Sequence, residues 1–319
     1  MTPPDPEFLI PAAQADADPR PTLACLFGAD YSARALTPQR SDTAPDVVRR
    51  ALARFAPFDS RSGFAASGGV DLGGGWCVAD HANAGAIRSS TWDAAFERIH
   101  AHARSVLEQA RFTIALGGDH SVSWPIVTAV ADAVRQQHGP SGRLGVLQLD
   151  VHHDVRPLDD GPSNGTPFRG LLEAGTIHPD DLVQVGIHPF ANRRALVEYC
   201  DEQRIRRFPL AEVAELGARE TGLAAVRALS GTDAIWLSVD IDVLDRAHAP
   251  GTAAALPGAL DPATLLEIVE TACSDPRVIG MDVVEFDPER DVADITSYAV
   301  ANVVMAALSA VARRDGAPT

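Results

Sequence analysis

The chain is 319 residues long, with 27 Lys+Arg against 43 Asp+Glu and a formal net charge of −16. Nucleic acids and anionic membranes are held by clustered cations that release counterions, so an acidic chain without a basic block is expected to bind neither. A composition of 46% hydrophobic and 22% charged residues is that of a soluble globular protein, long enough for one large domain.

Residues 1–21, rich in Pro, Ala and Asp, read as a disordered tail, and they lack the basic and continuous apolar regions of a secretory signal. The rest, 22–319, reads as a single catalytic domain. A strand is predicted over 22–27, a Gly/Pro-bearing loop over 59–75, and a helix from Ser90 to Ala110, with Ser90 and Asp93 at capping-box spacing. Strands follow at 112–116 and 144–149 across a loop at 138–143. After a further loop at 155–165, Thr166-Pro167 starts a helix with proline where the first turn needs no donor. A strand at 182–185, helices at 191–203 and 219–229, a strand at 234–239, a loop at 245–260, a helix at 261–274, a strand at 278–284 and a helix at 291–313 complete the series. Strand-like runs alternating with amphipathic stretches predict an α/β protein with a mainly parallel sheet. No run of about 18 apolar residues suggests a membrane span. The cysteines (Cys25, Cys77, Cys200, Cys273) are scattered without a C-x-x-C pair, as expected in the reducing cytoplasm.

Three strand ends carry chemistry. In Asp150-Val-His152-His-Asp154 a carboxylate, an imidazole and a carboxylate alternate after an apolar strand, so an extended chain would project all three to one side. Asp240-Ile-Asp242 ends a second buried strand, and Gly117-Gly-Asp-His120-Ser ends a third, with glycines that permit close backbone approach. Alone, each motif is also a cap or a turn. Gathered at the carboxyl ends of parallel strands, where open α/β sheets bind ligands, four carboxylates beside two imidazoles call for cations. Two divalent ions match the four carboxylates in formal charge, and the oxygen-rich donor set suits Mn²⁺.

These motifs, in this order, resemble the signatures of the arginase/agmatinase ureohydrolase superfamily across roughly residues 22–313. The resemblance implies a three-layer α/β/α fold around a mostly parallel sheet, assembled as a homotrimer or homohexamer. It further implies two Mn²⁺ per subunit, one held by His120, Asp150, Asp154 and Asp240 and the other by Asp150, His152, Asp240 and Asp242. Glu285, after a late strand, would receive a guanidinium or amidinium, a planar cation that a carboxylate pairs with in a fork. A metal-activated water would attack the amidine carbon, and Asp154 would pass a proton to the leaving amine.

Where many guanidine hydrolases carry a histidine before Gly-x-Pro, this chain has Asn164, and an amide does no acid–base work. Residues 163–169, 185–192 and 242–251 resemble formimidoylglutamase, which implies hydrolysis of N-formimidoyl-L-glutamate to glutamate and formamide in histidine degradation. Two departures from the family pattern bear on specificity: Val151 within the D-x-H motif and the loop at 251–258. The candidate partners for the substrate's carboxylates are Asn164, Arg169, Arg156 and Asn192, and His153 and His188 are candidates for the missing proton shuttle. The alternative is a ureohydrolase of agmatinase, guanidinobutyrase or arginase type that releases urea. A single-zinc deacetylase of the same architecture is a more distant rival, disfavoured by the full ligand set and Glu285. The motif order of two-metal phosphoesterases is absent, and a non-catalytic relative would be favoured by a broken ligand set.

Overall fold

The central strands are long apolar runs buried on both faces. In the computed structural model, which describes residues 8–60, 69–85 and 87–316, they assemble into one nine-stranded sheet. In chain order the strands are β1 (Leu9–Pro11), β2 (Thr22–Gly28), β3 (Phe58–Asp59), β4 (Val70–Asp71), β5 (Cys77–Asn83), β6 (Thr113–Leu116), β7 (Leu144–Leu149), β8 (Leu182–Ile187), β9 (Arg206–Pro209), β10 (Ala234–Asp240) and β11 (Val278–Val284). β3 and β4 form a separate antiparallel pair. The others lie in the order β1-β5-β2-β6-β11-β10-β7-β8-β9, every neighbouring pair parallel. Parallel strands need crossovers and cover on both faces, which the helices supply.

Along β7 the pleat sends Leu147 and Leu149 to one face and Val146 to the other, and each face has its own core. On the first pack Ala44–Leu52, Ala218–Ala228, Pro262–Cys273 and Ile295–Asp315. On the second pack Trp92–Leu107, Ser123–His138, Pro167–Glu173 and Arg194–Glu202. The result is the three-layer α/β/α arrangement. Trp92–Leu107 shows how local sequence sets an element: Trp92, Ala95, Ile99, Ala103 and Val106 return to the buried face at helical spacing. Its cap is Thr91, whose Oγ accepts from the Ala94 N–H, one residue beyond the expected Ser90.

The chain departs from its expected pattern in several places. From Phe8 onward the predicted tail is structured: Leu9–Pro11 pair with Val78–Asp80 of β5, and Arg20 binds Asp18 and the Gly73 carbonyl. Residues 1–7 lie outside the described residues. So do 61–68 of the predicted 59–75 loop, whose ends form β3, β4 and one helical turn. β1, β5 and β9 were not predicted, since they carry proline, Asp80 and His81, or paired arginines in place of an apolar run. Proline and arginine on the outermost strands also discourage pairing with another sheet. Helices Ala44–Leu52, Ser123–His138 and Leu210–Leu216 are additional. Ile295–Asp315 is long and apolar enough to cross a membrane, with mean hydropathy 1.7, but 78% of that stretch is buried in the protein, as in a core helix.

Candidate active site

The chemistry-bearing residues follow four adjacent strands, β6, β11, β10 and β7, at their carboxyl ends. After β6, Gly118 passes so close to Tyr31 that an added Cβ would sit 1.8 Å from the Tyr31 carbonyl oxygen. Asp119 then caps a short 3₁₀ turn by accepting from the Ser121 N–H at 2.9 Å. This turn drives His120 into the protein, where Nδ1 lies 2.8 Å from Asp154 Oδ2, 3.1 Å from Asp240 Oδ2 and 3.3 Å from Asp150 Oδ2. The opposite ring nitrogen, Nε2, lies 3.2 Å from Ser238 Oγ. Ser238 donates its hydroxyl hydrogen to Asp282 Oδ1 at 2.8 Å, leaving its lone pairs for Nε2–H. With a cation bound, the imidazole would carry its hydrogen on Nε2 and present the Nδ1 lone pair to the ion; without one, the carboxylates around Nδ1 favour a proton there as well.

After β7 the chain does not stay extended as the alternation argument assumed. The strand ends at Leu149, and Asp150 Oδ1 accepts from the His152 N–H at 2.6 Å, bending the backbone. Asp154 is left-handed, with φ of +50°. Aspartate tolerates that conformation better than most residues. The bend, rather than strand alternation, brings Asp150 and Asp154 together on His120. Asp240 repeats the device after β10, its Oδ1 accepting from the Asp242 N–H at 2.8 Å. His152 Nδ1 then meets Asp242 Oδ2 at 3.0 Å and Asp150 Oδ1 at 3.4 Å.

A polar row lies behind these groups, in register across the sheet: Asp282 of β11, Ser238 of β10, Gln148 of β7 and Gln184 of β8. All four are fully buried. Trp236 Nε1 and Ser123 Oγ also donate to Asp282, at 2.6 and 3.0 Å. Gln148 donates to Asp150 Oδ2 at 2.7 Å, and Gln184 donates to Gln148 Oε1 at 2.7 Å and to the His153 carbonyl at 2.8 Å. Sequence reading missed Asp282, Gln148 and Gln184. Their visible signal is a polar residue inside an apolar strand, with Gln148 and Ser238 each two positions before a carboxylate.

Ligand atoms of His120, Asp150, Asp154 and Asp240 lie within 4.8 Å of one another, as do those of Asp150, His152 and Asp242. Burial and the neighbouring carboxylates push Asp240 well above the usual carboxylate range. Burial raises Asp242 and, together with the charge of Asp150, lifts Asp154 to about 6. Burial also opposes ionisation of Asp150, yet the flanking imidazoles hold its carboxyl well below the usual range. His120 and His152 are raised despite burial because carboxylates surround them. Asp242 Oδ1 is buried without a hydrogen-bond partner. An orphan oxygen, oxygen-dominated donors and a crowd of buried negative charge fit divalent cations.

Glu285 follows β11 in a left-handed conformation, with φ of +66°. Its Oε1 accepts from the His120 N–H at 2.7 Å and from Asn164 Nδ2 at 3.0 Å, and its Oε2 from Gln39 Nε2 at 2.9 Å. Burial raises its pKa against these donors. Glu285 lines one cavity of about 180 Å³ with His152, Asp154, Asp240, Asp242 and Arg156. Asn164 also lines it but is committed on both sides, since its Oδ1 accepts from the Leu36 N–H at 3.0 Å. In this structure its side chain holds Glu285 while it also lines the cavity. Gln39 had no sequence signal.

Two expected substrate contacts are elsewhere. Arg169 pairs with Glu173 and stacks 3.8 Å from the Tyr199 ring centroid, outside the cavity lining. The i to i+4 spacing on one helix face satisfies it locally. Asn192 bridges the Val151 carbonyl and the His153 N–H, at 3.0 and 2.9 Å, and so braces the bend of the D-V-H-H-D segment. Nor do the candidate shuttles line the cavity. His153 Nδ1 contacts Gln184 at 2.7 Å, and His188 Nε2 contacts the Pro257 carbonyl at 3.2 Å.

A family model described as the Arginase family matches residues 23–309. The chain is 37% identical over 285 residues to formimidoylglutamase of Halalkalibacterium halodurans, covering 88% of this chain and 84% of that one. Among solved structures, formimidoylglutamase from Bacillus subtilis superposes with a TM-score of 0.81 at 31% identity, over 92% of this chain and 88% of that one. A Trypanosoma cruzi formiminoglutamase crystallised with Mn²⁺ shares the fold, with a TM-score of 0.78 at 21% identity over 96% of this chain and 99% of that one.

Proposed function

The chain belongs to the arginase family, and on that premise we propose that it hydrolyses N-formimidoyl-L-glutamate to L-glutamate and formamide, a step of histidine degradation. The observation that carries the chemistry is the single cavity lined by both the metal-fitting cluster and Glu285. The similarity to formimidoylglutamases carries the choice of substrate.

Two Mn²⁺ ions would be held, one by His120, Asp150, Asp154 and Asp240 and the other by Asp150, His152, Asp240 and Asp242, and would supply Lewis-acid activation of water near neutral pH. Glu285 binds the amidinium N–H groups, with Gln39 and Asn164 fixing the plane of its carboxylate. Asp154, on the cavity wall, takes the proton of the attacking water and delivers it to the leaving amine nitrogen. The C–N bond to that nitrogen breaks as the new C–O bond becomes the formamide carbonyl. Leu36, Ala253 and Ala254 wall the cavity and limit bulk water around the reacting carbon.

The same reading takes the chain from Phe8 onward as one catalytic domain, working in the cytoplasm as a homotrimer or homohexamer. The four buried, unpaired cysteines are in keeping with a reducing compartment. The test is product analysis of the Mn²⁺-loaded protein with N-formimidoyl-L-glutamate, arginine, agmatine and 4-guanidinobutyrate in separate reactions. Formamide from the first and no urea from the others is expected; urea from a guanidine overturns the substrate assignment.

A further inference from the structure

Leu36 and Arg156 line the cluster's cavity and also a larger one of about 510 Å³ beside it. The larger cavity brings together Arg34, Arg156 and Arg193, from three separate loop segments. Many other arginines in this acidic chain sit on carboxylates, as Arg143 does on Asp181 and Arg290 on Asp287. Among the described residues, none of these three has a carboxylate oxygen within 4.0 Å. Asp159 and Asp160 are exposed on the wall of the same cavity without pairing to them.

Two details show a built site. Arg34 Nε is buried with no hydrogen-bond partner. Arg156 lies against Gly165 so closely that a Cβ there would be 2.6 Å from Arg156 Cδ and 2.9 Å from Nε, so only glycine leaves the guanidinium where it is. Three guanidinium groups without a carboxylate oxygen within 4.0 Å, beside the catalytic cavity, offer forked donors that an anion can take.

We propose that this vestibule binds the carboxylates of a dicarboxylic amino-acid tail, which rests on the formimidoylglutamate reading above. Arg156, shared with the reaction cavity, takes the carboxylate nearer the scissile bond, and Arg34 and Arg193 take the distal one. The bond order of the substrate dictates this assignment, since the α-carboxylate is one carbon from the reacting nitrogen's attachment point and the side-chain carboxylate is farther out.

Arg193 is exposed, so Arg193→Gln tests the distal subsite without endangering the fold. The Mn²⁺-loaded wild type, Arg193→Gln and Arg34→Gln are assayed on N-formimidoyl-L-glutamate and N-formimidoylglycine, and L-glutamate binding is measured by calorimetry. The ratio of kcat/KM for the glutamate over the glycine substrate should fall at least about tenfold in Arg193→Gln, with a matching loss of glutamate affinity. An unchanged ratio and unchanged glutamate binding, in a series whose wild type releases formamide, overturn the vestibule assignment alone. A wild type that releases no formamide overturns the parent reading instead.

Discussion

Ser238→Ala separates metal affinity from stability. Among the described residues, Ser238 Oγ is the only acceptor of the buried His120 Nε2–H, at 3.2 Å. Stranding such a donor costs about 1–3 kcal/mol. The metal-free ring has an escape, because it can shed the Nε2 hydrogen and keep one on Nδ1, bonded to Asp154 Oδ2 at 2.8 Å or Asp240 Oδ2 at 3.1 Å. The metal-free variant should therefore lose about 1 kcal/mol in urea denaturation, for the Ser238 hydroxyl's bond to Asp282 that goes with it. Binding of Mn²⁺ must then displace the Nδ1 proton and put the ring hydrogen on an Nε2 that has lost its acceptor, so affinity should fall about 10–100-fold, the usual scale for removing a hydrogen-bond partner of a metal-ligating histidine. That corresponds to about 1.4–2.8 kcal/mol, within the range of the stranded donor. Ser123→Ala is the control. Its hydroxyl donates to the same Asp282 oxygen at 3.0 Å without touching the imidazole, so it should cost about 1 kcal/mol of stability and leave Mn²⁺ affinity within twofold. Equilibrium dialysis with Mn²⁺ at fixed pH reads the affinity. Equal losses in the two variants, or none in Ser238→Ala, would refute the tautomer argument.

Asp240→Ala should abolish formamide release and strip bound metal, as measured by elemental analysis, while the far-ultraviolet circular dichroism stays native. Arg169→Ala should leave KM for the carboxylated substrate within twofold, because the guanidinium is occupied by Glu173 and Tyr199; a clear rise would return it to the site. Asp261 caps Pro262–Cys273, accepting from the Thr264 N–H at 2.9 Å and its hydroxyl at 2.8 Å, so Asp261→Ala should cost about 1 kcal/mol in thermal or urea unfolding. Those same donors, the backbone N–H first, hold the Asp261 carboxyl below its ordinary range. A depressed native pKa stabilises above the unfolded value and is lost as pH falls through the native one. The stability gap between wild type and variant should thus be complete near pH 7 and shrink below about pH 4. A gap that widened in acid would contradict the cap.

The strands legible in the sequence are those whose apolar runs are buried on both faces, β7 and β11 being matched end to end. β5 was illegible because its outer half is tied by charge: Asp80 receives Arg49 from a neighbouring helix at 2.8 and 2.9 Å, a contact that no local pattern encodes. At the site, residue types at strand ends announced the metal-fitting cluster, but the alternation argument for Asp150 and Asp154 reached the right grouping through the wrong geometry. The bend at Asp150 and the left-handed Asp154 do the converging. Gln39 was invisible, and Gln148, Gln184 and Asp282 showed only as polar residues inside apolar strands, because their roles arise from pairing between segments distant in sequence. The misplacement of Arg169 has the opposite cause, a partner four residues away on its own helix.

The reacting groups hang from the ends of β6, β7, β10 and β11, whereas Leu36, Arg156, Asn164, Ala253 and Ala254 at the cavity's edge belong to loops. Chemistry and substrate choice are thus written in different parts of the chain. An exchange at Leu36, Arg156, Ala253 or Ala254 reshapes the cavity's edge without replacing a metal-facing carboxylate or the Gln39 and Asn164 that hold Glu285. Rewriting the edge while keeping the strand ends thus leaves the metal-facing groups where they are.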